Sequence, residues 1–362
     1  MQVAAGAALE SSFPGFDGLR LAAAISVLFS HAFLIAEGSE AREPLRHFLG
    51  PGNIVGLYGV FTFFIISGFL LTRSLANQSG MVQFSINRVL RILPGFVFCT
   101  LAITFLIGAL VTPLDLRSYY LQPETYAYAI SSIACLCDSW ENPFQFAAHP
   151  GLDGVKNGSL WSLSYEILSY LFLLWLWTLL RRPLLIAVAA GVVALATALS
   201  PFANKMMPGI AYTLPFFSGG VIMYAVHERF GTRQGLAWVS LGLICASALV
   251  GLQFYAFAIF GAYVVVFLAE HPNIGSRFAQ RWGDLSYGAY LFGWPMEQLV
   301  QQLTGIRNGW QLFACSLPIV LAAALLSWWT IEKPCLALKK VTRRLSAVLG
   351  GCDSRAALGP MK

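Results

Sequence analysis

The chain has 362 residues, of which 57% are hydrophobic and 11% are charged. Soluble domains carry about 25% charged residues, so this composition excludes a surface that faces only water and predicts one that faces lipid. The excess of basic residues, 23 Lys and Arg against 17 Asp and Glu, is attributed to loops that set membrane orientation and not to nucleic-acid binding.

Apolar runs long enough to cross a bilayer recur along the whole chain. A transmembrane helix needs about 20 mostly apolar residues, and Pro- and Gly-containing breaks separate the runs. The sequence therefore predicts an all-α, polytopic membrane helix bundle of about ten transmembrane helices. Their predicted ranges are 17–36, 54–75, 94–112, 160–180, 184–200, 210–227, 235–251, 254–270, 285–303 and 311–331.

The distribution of positive charge predicts the orientation of the bundle. With both termini in the cytoplasm, 17 of the 23 Lys and Arg residues fall on the inner side and 6 on the outer side, as the positive-inside rule requires. We expect a multi-pass protein of the cytoplasmic (inner) membrane, with residues 1–345 as the membrane domain and 346–362 as a flexible cytoplasmic tail. The longest extracytoplasmic loop, residues 113–159 (the outer segment), is expected to be functional or to carry a small fold of its own.

The first apolar run contains three residues that lipid would exclude, Asp17, Arg20 and His31. A charge at the bilayer centre costs about 2.5–3.5 kcal/mol, so such residues are functional candidates. Arg20 and His31 are eleven residues apart, which on a helix gives one shared face and about 16 Å along the axis. A cation at the cytoplasmic edge and a titratable imidazole inside suit an anionic donor that enters from the cytoplasm. The structural alternatives are a buried His31 bonded to a backbone carbonyl and an Asp17–Arg20 ion pair.

Three later segments contain further candidates. Arg88 and Arg91 lie one turn apart if their segment is helical, and both could then bind one polyanion. The alternative is that they only set the orientation of the chain in the membrane, as the positive-inside rule describes. Glu166 lies more than a turn inside the fourth run, beyond Trp161, which suits an interface anchor. The ninth run contains Pro295, and the backbone groups that it frees need a cavity or a neighbour.

The remaining polar features are given structural interpretations. The seven cysteines show no disulfide framework. Cys135 and Cys137 lack the spacing and the His partners of a zinc site, so no metal is expected. Glu332, at the end of the tenth run, is interpreted as part of an ordinary charged helix end.

Six short segments of the chain, taken in order, resemble one known family. They are Phe16-Asp17-Gly18-Leu19-Arg20 with His31, Gly59 to Leu70, Arg88 to Pro94, Trp161 to Glu166, Ser286-Tyr287 with Tyr290-Leu291, and Ile331 to Pro334. Each is short, but the ordered set covers nearly the whole chain. It is similar to acyltransferase family 3, a family of multi-pass membrane enzymes.

This resemblance implies a ten-helix bundle that moves an acyl group, commonly acetyl, from cytoplasmic acyl-CoA. The acceptor would be a hydroxyl of an extracytoplasmic glycan or lipid-linked sugar, with membrane lipid as the surroundings and no metal. By motif match, the catalytic residues would be His31, Glu166 and Asp17; the donor-binding residues Arg20, Arg88 and Arg91; and the substrate-binding residues Ser67, Trp161 and Tyr290.

Two departures from the family pattern concern the acceptor side. Many members carry His where this chain has Gly293, and a second acidic residue where Ile167 follows Glu166. Two mechanisms stay open for His31, general base in a direct transfer and carrier of a transient acyl group.

A different class, a transporter or flippase of an anionic or glycan substrate, is the alternative. Transporters often contain inverted repeats and paired broken helices. This chain has one Gly/Pro-interrupted run, 285–303, and no convincing repeat, which favours the enzyme.

Overall fold

The computed structural model describes residues 13–50, 53–77, 80–139, 143–146, 152, 154–271 and 281–339. Regular secondary structure in these ranges is entirely helical, so the all-α prediction is confirmed. Ten main helices occupy the predicted positions: α1 (Phe16–Glu37), α2 (Val55–Ala76), α3 (Met81–Val111), α4 (Trp161–Leu180), α5 (Pro183–Leu199), α6 (Pro208–Phe230), α7 (Gln234–Ala248), α8 (Gln253–Ala269), α9 (Ser286–Thr304) and α10 (Gly309–Lys339). The predicted tail, 346–362, lies outside the described residues.

Six of these helices are long and apolar enough to cross a membrane, namely α1, α2, α3, α4, α6 and α10. Helices α5, α7 and α8 are apolar but have 10–17 residues. Helix α9 has 19 residues, several of them buried and polar. The chain is therefore a multi-pass membrane protein, while ten crossings and cytoplasmic termini stay predictions.

Helix α3 begins thirteen residues before the predicted run 94–112. Its first turns carry Arg88 and Arg91 and so do not form an apolar pattern, yet the helix continues through Pro94. The condition for placing Arg88 and Arg91 on one helical face is therefore met. Helix α10 likewise extends beyond its predicted end at residue 331.

Helix α1 packs against α2, α9 and α10, and small residues allow the central helices to approach closely. A Cβ atom at Gly68 of α2 or at Gly220 of α6 would meet the backbone of the other helix. The backbone N–H of Gly56 donates to Ser30 Oγ of α1 at 2.7 Å. Small residues at helix contacts are typical of membrane proteins. The Gly56–Ser30 bond joins α2 to α1, which carries Arg20 and His31.

The outer segment has a compact structure of its own. It contains two helices, Leu116–Leu121 and Pro123–Cys135. The hydroxyl of Tyr119 donates to a backbone carbonyl of α3 at 2.6 Å. Cys135 and Cys137 form a disulfide with their Cα atoms 5.3 Å apart, a link that the sequence did not indicate.

The Asp138 carboxylate joins the two parts of the outer segment. It accepts hydrogen bonds from the Tyr128 hydroxyl at 2.8 Å and from the backbone N–H groups of Lys156 at 2.9 Å and Asn157 at 3.2 Å. Burial raises the pKa of this carboxyl, although the three donors oppose the shift. The carboxylate thereby fixes the backbone that carries Asn157 towards α9.

Candidate active site

A pocket lies between α1, α2, α3, α4 and α9. Six of the nine residues assigned by the family resemblance line it: Arg20, Ser67, Arg88, Arg91, Glu166 and Tyr290. The structure therefore brings the predicted donor-binding arginines together with Glu166 and two predicted substrate-binding residues.

Arg91 is held by protein groups in this pocket. Its Nη2 atom lies 2.5 Å from Asp284 Oδ2, and both side chains are largely buried. The guanidinium also lies over the ring of Tyr287, 5.8 Å from its centroid, and the Tyr287 hydroxyl donates to the Ile92 carbonyl at 2.7 Å. Because the Asp284 carboxylate already neutralises it, Arg91 is less available to an anionic ligand than the sequence suggested.

Arg88 has a different environment from that of Arg91. Its Nε atom is buried and has no hydrogen-bond partner within the described residues. Its guanidinium lies 5.9 Å from the centroid of the Phe84 ring. A cation that is partly removed from water normally requires a paired anion, so Arg88 is the arginine of this pocket best placed to receive one.

Glu166 projects from α4 and is fixed by two hydroxyl groups. Its Oε1 atom accepts a hydrogen bond from Ser67 Oγ of α2 at 3.1 Å and another from the Tyr170 hydroxyl. Tyr170 lies four residues after Glu166, so it shares the same helix face. Glu166 thus joins α2 to α4 at the wall of the pocket.

Tyr290 forms a second polar link across the pocket. Its hydroxyl lies 2.6 Å from Ser162 Oγ and donates to the Ser159 carbonyl at 2.7 Å. These bonds tie α9 to the start of α4 and to the end of the outer segment.

His31 does not line the pocket. Its half-buried ring packs edge-on against Trp294 of α9, with centroids 4.8 Å apart. Its Nδ1 atom is buried and unpartnered among the described residues. The bond from this nitrogen to a backbone carbonyl, which was the structural alternative, is therefore not seen there.

Asp17 and Trp161 also lie away from the pocket lining. The Asp17 carboxylate is 3.5 Å from Arg20 and half exposed, which is the ion pair considered from the sequence. Trp161 is 38% exposed at the start of α4, as an interface anchor would be.

The interpretation of Glu332 as an ordinary charged helix end is wrong. Glu332 is 2% exposed and accepts a hydrogen bond from Ser327 Oγ at 2.9 Å. It ends a π-helical turn, Trp328–Glu332, and it faces α3 at Gly95. The error arose because α10 continues to Lys339, which places Glu332 inside the bundle.

Pro295 interrupts the hydrogen bonding of α9, and a neighbour compensates as predicted. A proline has no N–H for the carbonyl four residues earlier, which is that of Leu291. Asn157 Nδ2 donates to this carbonyl at 2.8 Å, and Cys99 Sγ does so at 3.4 Å. Asn157 therefore holds α9 one turn from the contact between Trp294 and His31.

The site residues that were not predicted from the sequence differ in whether a local pattern indicates them. Tyr170 could have been found from its spacing to Glu166. Asp284 and Asn157 bond to partners 193 and 134 residues away, and no local pattern indicates such pairs.

Comparison with known proteins decides the family. The sequence model of acyltransferase family 3, described as an acyltransferase domain, matches residues 13–332. This chain belongs to acyltransferase family 3. The chain is thus a multi-pass membrane acyltransferase.

Two relatives resemble the acyltransferase over most of their length. An O-acetyl transferase of Shigella phage Sf6 is 26% identical, over 88% of this chain and 94% of the relative. Nodulation protein 10 of Rhizobium leguminosarum bv. viciae is 28% identical, over 91% of this chain and 96% of the relative. No solved structure matches the acyltransferase.

Proposed function

We propose that this O-acyltransferase takes an acetyl group from acyl-CoA on the cytoplasmic side of the inner membrane. It delivers the group to a hydroxyl of an extracytoplasmic glycan or lipid-linked sugar. The observation that carries the proposal is that Arg20 and Arg88 line one pocket, because guanidinium groups are suited to phosphates. The O-acetyl transferase relative supports acetyl as the group transferred.

The positions of Arg20 and His31 suit an elongated donor. They share α1 and lie about 16 Å apart along its axis. A donor with phosphates at one end and a thioester at the other can hold its phosphates at Arg20 and Arg88 while its thioester extends towards His31.

In the proposed reaction His31 acts as general base. The acceptor hydroxyl loses its proton to the imidazole while its oxygen attacks the thioester carbonyl. The new C–O bond forms, the C–S bond breaks, and the thiolate takes the proton back from the imidazolium to leave as the thiol. General-base assistance of this kind contributes about 10²–10⁴-fold.

The test uses purified protein in nanodiscs with labelled acetyl-CoA and polysaccharide extracted from source cells that lack this protein. His31→Ala should lose at least about 10²-fold of the transfer rate and keep its melting temperature. His271→Ala is the matched control, because His271 is exposed at the end of α8 and should retain activity. Near-normal transfer by His31→Ala would refute the assignment.

The same preparation separates the two mechanisms. With donor alone, an acyl-histidine route should leave labelled acetyl on His31, detectable by mass spectrometry of the peptide. A direct transfer should leave His31 unlabelled with donor alone, and label should appear on the polysaccharide only after that acceptor is added.

A further inference from the structure

Helix α9 carries a row of buried polar side chains beyond the pocket. Trp294, Glu297, Gln298 and Gln301 follow one another at spacings of three, one and three residues, which places them within about 100° of arc on the helix. Their exposed fractions are 4%, 0%, 1% and 8%. This row is called the polar face of α9.

Several of these groups lack the hydrogen bonds that buried polar atoms normally make. Within the described residues, Trp294 Nε1, Glu297 Oε2, Gln298 Oε1 and the neighbouring His31 Nδ1 are buried and unpartnered. Proteins pair about 90% or more of such groups, because an unmade bond is expensive. Four unmade bonds on two adjoining helices point to a ligand that supplies the partners.

The second polar atom of Gln298 and that of Glu297 are each held by a protein group. Gln298 Nε2 donates to the Val155 carbonyl of the outer segment at 3.1 Å, and Ser316 Oγ of α10 donates to Glu297 Oε1 at 3.3 Å. Gln298 and Glu297 therefore each have one hydrogen-bonded polar atom and one unpartnered oxygen among the described residues, as expected of groups that are positioned for binding.

The polar face links the pocket to the other end of α9. Tyr290, which lines the pocket, lies one turn before Trp294, and Gln301 lies about 10 Å beyond Trp294 along the helix. Leu152 and Val155 of the outer segment pack on the apolar cluster around Trp294. A molecule bound here would reach His31 from the side covered by the outer segment.

We propose that the polar face of α9, together with His31, binds the sugar acceptor. The free groups include an N–H donor and two oxygen acceptors, and sugar hydroxyls both donate and accept. The polar face contains one carboxylate and no Lys or Arg, which suits a neutral, hydroxyl-rich ligand better than the phosphates of the donor. This inference rests on the proposed function, because that function makes a glycan the acceptor.

The test measures polysaccharide binding without any donor. The probe is tritium-labelled, delipidated polysaccharide from source cells that lack this protein, and the protein is the full chain in nanodiscs. Gln298→Met and Glu297→Gln should each weaken binding about tenfold, as expected for a lost hydrogen bond. Gln311→Met is the matched control, since Gln311 is exposed on α10, and it should bind as the unsubstituted protein does.

Acetyl-CoA binding is measured in the same preparations and should not change. Unchanged polysaccharide binding in Gln298→Met and Glu297→Gln overturns the inference, whether or not their melting temperatures fall. A lack of polysaccharide binding by the unsubstituted protein also overturns it. If Gln298→Met does not fold, Glu297→Gln, which keeps the side-chain volume, and Gln301→Met carry the test. If the protein binds the polysaccharide but transfers nothing to it from acetyl-CoA, the proposed donor is contradicted. The comparison of polysaccharide binding between the variants and the unsubstituted protein still tests the inference in that case.

Discussion

Replacing Asn157 by alanine should reveal the energetic effect of the proline in α9. The Asn157 amide supplies the hydrogen bond, at 2.8 Å, that Pro295 cannot give to the Leu291 carbonyl. Leaving a buried carbonyl unsatisfied costs about 1–3 kcal/mol, and the Cys99 thiol, at 3.4 Å, is a weak donor. We therefore expect Asn157→Ala to lower the free energy of unfolding by about 2 kcal/mol.

A double-mutant cycle isolates this interaction. In a Pro295→Ala background the backbone N–H of residue 295 can bond to the Leu291 carbonyl, so Asn157→Ala should cost about 1 kcal/mol less there. The loss of the bond from the Ser159 N–H to Asn157 Oδ1 occurs in both backgrounds and cancels.

The cycle is measured by SDS titration of the four proteins in mixed micelles. Asn204→Ala is the matched control, because the Asn204 amide also donates to backbone carbonyls, at 2.9 and 3.1 Å, but on the short helix before α6. Its effect should be the same in both backgrounds. A coupling below about 0.3 kcal/mol between positions 157 and 295 would show that Asn157 does not compensate for the proline.

Three further predictions follow from the buried charges. Arg88→Ala should raise the apparent KM for acetyl-CoA about tenfold and change kcat less. Arg91→Ala should instead mainly lower the free energy of unfolding. Equal effects of the two substitutions on KM would contradict the distinction between the two arginines. Asp284→Ala should destabilise the protein by about 3 kcal/mol because it leaves the Arg91 guanidinium unpaired, and adding Arg91→Met should restore most of that loss in the same titration. The stability of the outer segment should fall as pH rises from about 4, the ordinary pKa of an unfolded Asp, through the raised folded-state pKa of Asp138. The folded state binds the Asp138 proton more tightly than the unfolded state does, and this stabilisation is lost when the carboxyl ionises. Hydrogen exchange of Pro123–Cys135 as a function of pH measures the effect, and Asp138→Asn should flatten the profile.

The sequence predicted the helices well because lipid imposes a simple requirement. Each crossing segment must be helical and mostly apolar, so runs of suitable length could be located directly. The predicted helix ends were wrong where a helix continues beyond its apolar stretch, as α3 does around Arg88 and α10 does at Glu332. Polar helix extensions look like loops in a hydropathy pattern.

The site was predicted in part for the same reason. Arg88 and Glu166 were found because charged residues beside or within apolar runs are rare and expensive. The pairing of Arg91 with Asp284 and the unpartnered atoms around Gln298 depend on how distant helices pack. Neither residue type nor local spacing contains that information.

The Cys135–Cys137 link has a consequence for how the enzyme matures. Thiols are kept reduced in the cytoplasm, and lasting disulfides form in oxidising compartments. With the predicted orientation, the newly made loop would leave the ribosome with two separate thiols and become cross-linked only after export. Asp138 directly follows the pair and anchors the Asn157 backbone, so a cross-link made outside the cytoplasm would restrain the chain next to the residue on which the position of Asn157 depends.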